Sequence, residues 1–148
     1  MGGISAVLAL MFFYAAYSKL LDYDTSRQEM LNQVFSRPVA LVLVFLVPMS
    51  ELLIVALLLF SSTRLWGLYG SLILLTAFSL YISISMSGVF GRVPCSCGGI
   101  LKHMGYWTHL AFNFFFIVLA IMGIALERQW KAINRWFDFL GGKEVRQN

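Results

Sequence analysis

The stretch YWTHLAFNFFFIVLAIMGIAL, from Tyr106 to Leu126, decides the structural class of this protein. It contains no aspartate, glutamate, lysine or arginine, and about 20 predominantly apolar residues are needed to cross the hydrocarbon core of a bilayer. A helix is the expected form, because the backbone groups of an isolated strand pair would stay unpaired in lipid. The stretch therefore predicts a membrane-spanning helix.

Three further apolar runs precede this stretch, at about residues 4–21, 39–60 and 65–90. The 148-residue chain is 59% hydrophobic and 12% charged, whereas soluble domains have about 45–50% apolar and about 25% charged residues. The first run lacks the basic start and the cleavage site of a secretory signal, so we interpret it as a span. We predict an all-α membrane protein, with a four-transmembrane-helix bundle in residues 1–126 and its fourth span at 106–126.

Residues 127–148 form a tail of different character. Its apolar and charged side chains fall on two faces of a helix: Trp130, Ile133, Phe137 and Leu140 against Lys131, Arg135 and Asp138. This pattern predicts a C-terminal interfacial amphipathic helix with a polar end, not a fifth span. The polar linker at residues 22–38 has a shorter apolar stripe that closes at Pro38, which predicts a short helix on the membrane surface.

The basic residues indicate the orientation in the membrane. An even number of spans places both termini on one side, which carries six Lys and Arg residues against five on the other, and the tail charges lie beside the last span. The positive-inside rule then predicts cytoplasmic termini and a periplasmic loop at residues 91–105, in a bacterial inner membrane. The basic residues are scattered between apolar blocks, so the net charge of +4 does not predict nucleic-acid binding.

That loop contains both cysteines of the chain, Cys95 and Cys97, in the stretch VPCSCGG. Two cysteines one residue apart can close a disulfide, because an extended spacing falls near the accepted Cα separation of about 4.4–6.8 Å. The ring would be strained and easily reduced, and it encloses too few residues to stabilise the fold. The pair is therefore predicted to be redox-active, and the alternative is that two small side chains merely pack in a loop.

A metal site is the second chemical interpretation of the same segment. The four side chains Cys95, Cys97, His103 and His109 supply the nitrogen and sulfur ligands that tetrahedral zinc prefers, although the thiolate spacing differs from that of common zinc fingers. The Cys-x-Cys pair alone could hold a soft copper ion. Both alternatives stay open at this point.

Glu51 lies near the middle of the second span. A charged carboxylate at the centre of a span costs about 2.5–3.5 kcal/mol on insertion scales, so we expect it to be partnered or protonated. Lys19, near the end of the first span, is the candidate partner. Glu51 lies about 20 Å along its helix from Pro38, so a direct pair requires a deep loop, a tilt or the full reach of the lysine side chain. A proton relay, a quinone contact and a purely structural role are the alternatives for Glu51.

His109 and Asn113 lie one turn apart on the same face of the fourth span. Polar residues inside a span usually face the bundle interior and mark function. A histidine just below the cysteine loop could take or give a proton during thiol exchange. The alternative is an interfacial histidine that bonds to a lipid headgroup or to Asn113.

Short motifs in these regions resemble known families. The stretch SKLLD at the end of the first span and the P-x-x-E motif of the second resemble DoxX-type four-helix membrane proteins. The loop PCSCGG, followed by W-x-H and F-N at the start of the fourth span, resembles the MauE branch of that group. The similarity runs from about residue 13 to residue 126.

The resemblance implies a four-helix bundle of the kind found in vitamin K epoxide reductase-like enzymes. It also implies a thioredoxin-like extracytoplasmic partner, with a role in disulfide formation or isomerisation, and DoxX relatives imply a quinone as cofactor. The thiol pair and polar positions of the family correspond here to Cys95, Cys97, Lys19, Glu51, His109 and Asn113. One departure is that the chain has a single cysteine pair, where epoxide reductase-like enzymes use two, so a partner must supply the other half of a relay.

The leading hypothesis is an inner-membrane thiol:disulfide exchange protein with a quinone as candidate electron acceptor. The alternatives are a non-catalytic membrane subunit that scaffolds a larger envelope complex, and a metal-binding membrane protein. The expected partners are the lipid bilayer and either a thioredoxin-like protein or another membrane subunit, with no nucleic acid.

Overall fold

The computed structural model of the protein describes residues 2–33, 35–87 and 106–144. Within the last range, side chains are described for residues 107–136 and 139. These parts of the chain form five helices and no strand: α1 (Gly2–Leu21), α2 (Tyr23–Leu31), α3 (Arg37–Leu59), α4 (Arg64–Met86) and α5 (Tyr106–Glu144).

Four of the described helices are long and apolar enough to cross a membrane. They are α1, α3, α4 and the Trp107–Trp136 part of α5. The structure thus confirms the predicted all-α architecture with four transmembrane helices. The chain is a multi-pass membrane protein.

The four long helices pack in a ring. α1 contacts α3 and α5, and α4 contacts the same two helices from the other side. Neighbouring helices run antiparallel. Leu58 near the end of α3 meets Gly67 near the start of α4, and Gly123 of α5 lies beside Leu68 and Ile4. We call the end of the bundle at which α4 ends and α5 begins the upper end, and the opposite end, at which α1 and α4 begin, the lower end.

The apolar core fills the middle and lower part of the ring. Its buried members are Leu8, Ala9, Phe12, Ile54, Leu58, Leu68, Leu75, Phe116, Ala120 and Ile124. Large apolar side chains also cover the outside of the bundle; Leu10, Ile73 and Phe114, for example, are each exposed by about two thirds. Apolar side chains on the outside of the bundle suit a lipid environment. Lipid tails are as apolar as these side chains, so the helices associate through close packing and polar contacts.

Close packing is most evident between α3 and α4. A Cβ atom on Gly67 would lie 2.9 Å from both the Cγ and the backbone nitrogen of Leu58. Three hydroxyls of α4 need no partner on other helices, because Ser71, Thr76 and Ser79 donate to the carbonyl oxygens one turn earlier, at 2.7–2.8 Å. The helix therefore places polar residues in the bilayer without leaving these hydroxyls unpaired.

Helix α5 is longer than the sequence pattern predicted. Its 39 residues correspond to about 58 Å of helix, whereas the hydrocarbon core is about 30 Å thick. The tail is helical, as expected, but it continues the fourth span directly, because the stretch from Glu127 to Trp136 contains neither glycine nor proline to end a helix. Its placement at the membrane interface, and the division of the chain at residue 126, stay predictions.

Helix α2 is the short linker helix between the first two spans. Asp22 caps its start by accepting a hydrogen bond from the backbone nitrogen of Thr25 at 3.3 Å. The helix ends at Leu31, before the predicted apolar stripe is complete, and Phe35 lies beyond it. α2 packs against α3, so the linker folds back along the bundle.

Candidate functional site

A buried ion pair joins the first two spans. The Nζ of Lys19 on α1 lies 2.6 Å from Oε1 of Glu51 on α3, and Glu51 is only 1% exposed. Lys19 also donates to the carbonyl oxygen of Ala15, at 3.4 Å. A carboxylate at this depth is thus neutralised by a charge-assisted hydrogen bond, which is the usual way in which an intramembrane charge is tolerated.

The direction of the lysine side chain explains how two distant positions meet. Side chains on a helix lean toward its N-terminus, and Lys19 lies in the last turn of α1. Its ammonium group therefore extends back into the bundle, toward Ala15 and Glu51, and not outward to the nearest surface. Of the three routes that the sequence left open for this pair, the reach of the lysine side chain is evident in the structure.

One oxygen of Glu51 is not used by the pair. Among the described residues, none forms a hydrogen bond with the buried Oε2 of Glu51 or with the buried Nδ2 of Asn113. Asn113 is 4% exposed. Buried polar atoms nearly always have a partner in folded proteins, so an acceptor and a donor of this kind are candidates for contact with a bound molecule.

His109 belongs to the same end of the bundle. It lies in the first turns of α5, is 7% exposed, and is one turn before Asn113. Lys19 is in the last turn of α1, so Lys19 and His109 both belong to residues at the upper end of the bundle. The structure thus brings Lys19 and Glu51 into contact, and it buries His109 and Asn113 one turn apart on α5.

A cavity opens beside Lys19, between the linker and helices α3 and α4. Its volume is about 200 Å³, and its walls are mostly apolar: Met30, Phe35, Leu43, Val47, Ala77, Phe78 and Ile82, with Lys19, Gln33 and Tyr81 as the polar members. Lys19 therefore connects the buried carboxylate with a space large enough for a small ring.

The linker closes this cavity through two contacts with Tyr81 of α4. The Tyr81 hydroxyl donates a hydrogen bond to Oε1 of Gln33, and the ring of Phe35 stacks on that of Tyr81 at 5.5 Å between centroids. Gln33 is 6% exposed. Sequence reasoning missed Gln33 and Tyr81. A glutamine inside an apolar stripe is the signal that could have identified Gln33, whereas nothing local distinguishes Tyr81 from the other tyrosines.

The predicted thiol pair Cys95 and Cys97 lies outside the described residues, as does His103. Of the alternative metal ligands, only His109 is described, and the described ranges contain no group of three or more histidine, cysteine, aspartate or glutamate side chains suited to a metal ion. The residues that bracket the cysteine segment, Ser87 and Tyr106, belong to the upper ends of α4 and α5.

Comparison with known protein families identifies a match over most of the chain. No curated protein and no solved structure matches the chain at a significant level. The family described as Methylamine utilisation protein MauE matches residues 1–126, which include the ion pair, the cysteine segment and the polar face of α5. Because the match covers most of the chain, and agrees with the four apolar helices, the protein belongs to the MauE family of membrane proteins.

Proposed function

We propose that this protein is a membrane thiol:disulfide exchange protein in which Cys95 and Cys97 cycle between dithiol and disulfide. The observation that carries the proposal is the contact of Lys19 with the buried carboxylate of Glu51, in a bundle whose upper end also holds the buried His109 and is the end at which α4 and α5 flank the cysteine segment. Membership of the MauE family supports it, through the thiol pair that the family resemblance assigns to these positions.

The exchange itself needs no cofactor. The thiolate of one cysteine attacks a disulfide of the partner protein, forms a mixed disulfide, and releases a partner thiolate. The second cysteine then attacks the mixed disulfide, which closes the Cys95–Cys97 disulfide and releases the partner as a dithiol. Two electrons have moved from this chain to the partner, and the reverse sequence oxidises the partner.

Proton transfer gives the buried polar residues a role in this chemistry. Only the thiolate is nucleophilic, so each attack requires that a thiol lose its proton and that the leaving thiolate gain one. His109, buried one turn above Asn113, is the group that would accept and return the proton. The Lys19–Glu51 pair offers a further acceptor in Oε2 of Glu51, which accepts no hydrogen bond from any of the described residues.

The cavity beside Lys19 supports a quinone as the electron acceptor for the reverse sequence, in which the partner is oxidised and the dithiol of Cys95 and Cys97 must be returned to the disulfide. Its apolar walls and volume of about 200 Å³ fit a single substituted ring, with the Lys19 ammonium as a hydrogen-bond donor to a ring oxygen. A quinone supplies the capacity to take two electrons and two protons. Lys19 would hold the ring oxygen, while Gln33 and Tyr81 would close the space over it.

The expected setting is the bacterial inner membrane, with cytoplasmic termini and the cysteine segment on the periplasmic side. A thioredoxin-like periplasmic protein is the partner that this chemistry requires, because a single thiol pair must exchange with a second one. The multi-pass membrane architecture supports this arrangement.

Trapping of the mixed disulfide tests the proposal. With Cys97→Ser or Cys95→Ser, the resolving step is lost, so one variant should accumulate an adduct that dithiothreitol releases. Mass spectrometry should find the partner linked through a cysteine of a thioredoxin-like Cys-x-x-Cys pair. The double variant is the matched control and should form no adduct. If neither single variant traps such a partner in cells, the exchange function is wrong.

A scaffold subunit is the second candidate, and the long α5 favours it. Trp130 and Ile133, beyond the matched residues, are each about half exposed on the continuation of this helix. If the protein acts only by assembly, the double variant with serine at both cysteine positions keeps full activity in cells, whereas Trp130→Ala with Ile133→Ala abolishes it. The exchange function predicts loss of activity in the double serine variant.

A further inference from the structure

A second cavity lies at the lower end of the bundle, away from Lys19 and His109. It has a volume of about 540 Å³ and lies between the turn that joins α3 to α4 and the continuation of α5. Its walls are formed by Ser61, Arg64, Glu127, Trp130, Lys131 and Asn134. Because residues 60–63 connect two membrane spans, the cavity lies at the level of the bilayer surface.

Arg64 has donors that its protein partner does not use. Its Nη1 lies 3.9 Å from Oε2 of Glu127, at the outer limit of an ion pair. The Nε of Arg64 is buried, and none of the described residues accepts a hydrogen bond from it. A guanidinium carries five N–H donors in a planar fork, so one distant carboxylate oxygen leaves most of them available to a second acceptor.

The start of α4 adds a positive field at the same place. Arg64 is the first residue of this 23-residue helix, and the preceding Thr63 does not cap it, because the Thr63 hydroxyl donates to the Leu57 carbonyl oxygen at 3.0 Å. The first-turn amides of a helix attract anions when no side chain caps them. The helix terminus and Arg64 therefore favour the same kind of ligand.

The charges of the cavity leave one positive unit uncompensated. Arg64 and Lys131 contribute two positive charges, and Glu127 contributes one negative charge. A phosphodiester carries a single negative charge and would balance the site. Trp130, half exposed on the wall, is of the type that lies at the headgroup level of membranes. Basic pockets at helix ends commonly bind the headgroups of anionic lipids.

We propose that this cavity binds the phosphate group of an anionic phospholipid. Arg64 and Lys131 contact the phosphate oxygens, while Ser61 and Asn134 offer hydrogen bonds to the rest of the headgroup. Glu127 holds one edge of the Arg64 guanidinium, so that the other edge faces the ligand. The site is independent of the exchange reaction and requires neither cysteine.

Lipid titration of the purified full-length protein in detergent tests this site. Native mass spectrometry would compare phosphatidylglycerol with phosphatidylcholine of the same acyl chains, for the wild type, Arg64→Gln and Lys131→Gln. Arg128→Gln is the matched control, because it removes the same charge from an exposed position next to Glu127 that does not line the cavity. A further arm adds inorganic phosphate, with chloride at equal ionic strength as its reference.

Wild-type protein should bind phosphatidylglycerol about tenfold more tightly than phosphatidylcholine, and each cavity variant should lose about that factor. The control variant should stay within about twofold of the wild type. Lys131→Gln carries the test if Arg64→Gln fails to fold, because Lys131 is partly exposed. Equal binding of both lipids, or an equal loss in Arg128→Gln, overturns the proposal. Displacement of the lipid by inorganic phosphate at matched ionic strength overturns the lipid as the source of the phosphate.

Discussion

Glu51 and Glu127 are both buried in the bundle and each faces one cation, yet the two pairs differ in geometry and surroundings. Lys19 lies 2.6 Å from Glu51, well inside the span of α3, whereas Arg64 lies 3.9 Å from Glu127 at the lower end. The Lys19 pair is next to a mostly apolar cavity, and the Arg64 pair is next to one that contains a second cation.

The difference shows what a buried carboxylate can do in a membrane protein. Deep in the bundle, Glu51 needs its lysine, because an unpaired charge in a low-dielectric interior costs several kcal/mol. At the lower end, Glu127 is near the bilayer surface. The Nε of its partner Arg64 donates to none of the described residues, so it can serve another acceptor. Lys19 is thus needed as long as Glu51 is present, and their pair is a candidate for proton transfer, whereas Glu127 orients the cation of Arg64.

The largest effect on stability is expected when the positive charge of Lys19 is removed. Lys19→Met leaves the carboxylate of Glu51 buried without a partner, and should lower the free energy of unfolding by about 3–5 kcal/mol. Titration with dodecyl sulfate in mixed micelles measures this free energy. The double variant Lys19→Met with Glu51→Leu removes both charges and should recover most of the loss. Additive losses in the double variant would contradict a direct interaction between the two side chains.

A smaller effect is expected where α3 and α4 pack closely at the lower end. In Gly67→Ala the new methyl group would meet backbone and side chain of Leu58 at 2.9 Å, which should cost about 1–3 kcal/mol in the same unfolding measurement. Gly70→Ala is the matched control, because its methyl group would meet only the Ile54 side chain, with Cγ1 at 3.3 Å and Cδ1 at 3.7 Å, and should change stability by less than about 0.5 kcal/mol. Equal losses in both variants would show that backbone contact is not what limits residue 67.

The smallest effect on stability is expected when the negative charge of Glu127 is removed. Glu127→Gln should change the free energy of unfolding by less than about 1 kcal/mol, because the pair is long and the side chain of Arg64 is 21% exposed. Glu51→Gln makes the same chemical change in the upper pair and should cost clearly more. If Glu127→Gln lost more stability than Glu51→Gln, then neither the depth of the carboxylate in the bundle nor its distance from the cation would explain the difference between the two pairs.

Much of the fold was predictable from the sequence, because lipid imposes a simple requirement on the chain. A span must be apolar over about 20 residues and must satisfy its backbone internally, so four apolar runs predicted four helices. The boundary after Leu126 was less predictable. The fall in hydropathy there indicates a change of environment, but only glycine, proline or a cap would end the helix, and α5 continues to Glu144.

The candidate site was predictable in part. Glu51, His109 and Asn113 are conspicuous as polar residues in apolar spans, and the sequence identified Lys19 as a partner for Glu51. The sequence did not indicate Gln33 or Tyr81, because their contact joins positions 48 residues apart. It also did not indicate the lower cavity, where the turn before α4 meets the continuation of α5.

The sequence by itself determined that the protein lies in a membrane, how many spans it has and which few polar residues the membrane interior has to accommodate. The reason is that the composition of each segment sets its free energy of transfer from water into the bilayer. Only the tertiary structure decided which polar groups meet. Lys19 turns back into the bundle to reach Glu51, and beside Glu127 the Nε of Arg64 has no acceptor among the described residues. The packing of helices distant in sequence governs these contacts, and no local stretch of residues encodes that packing.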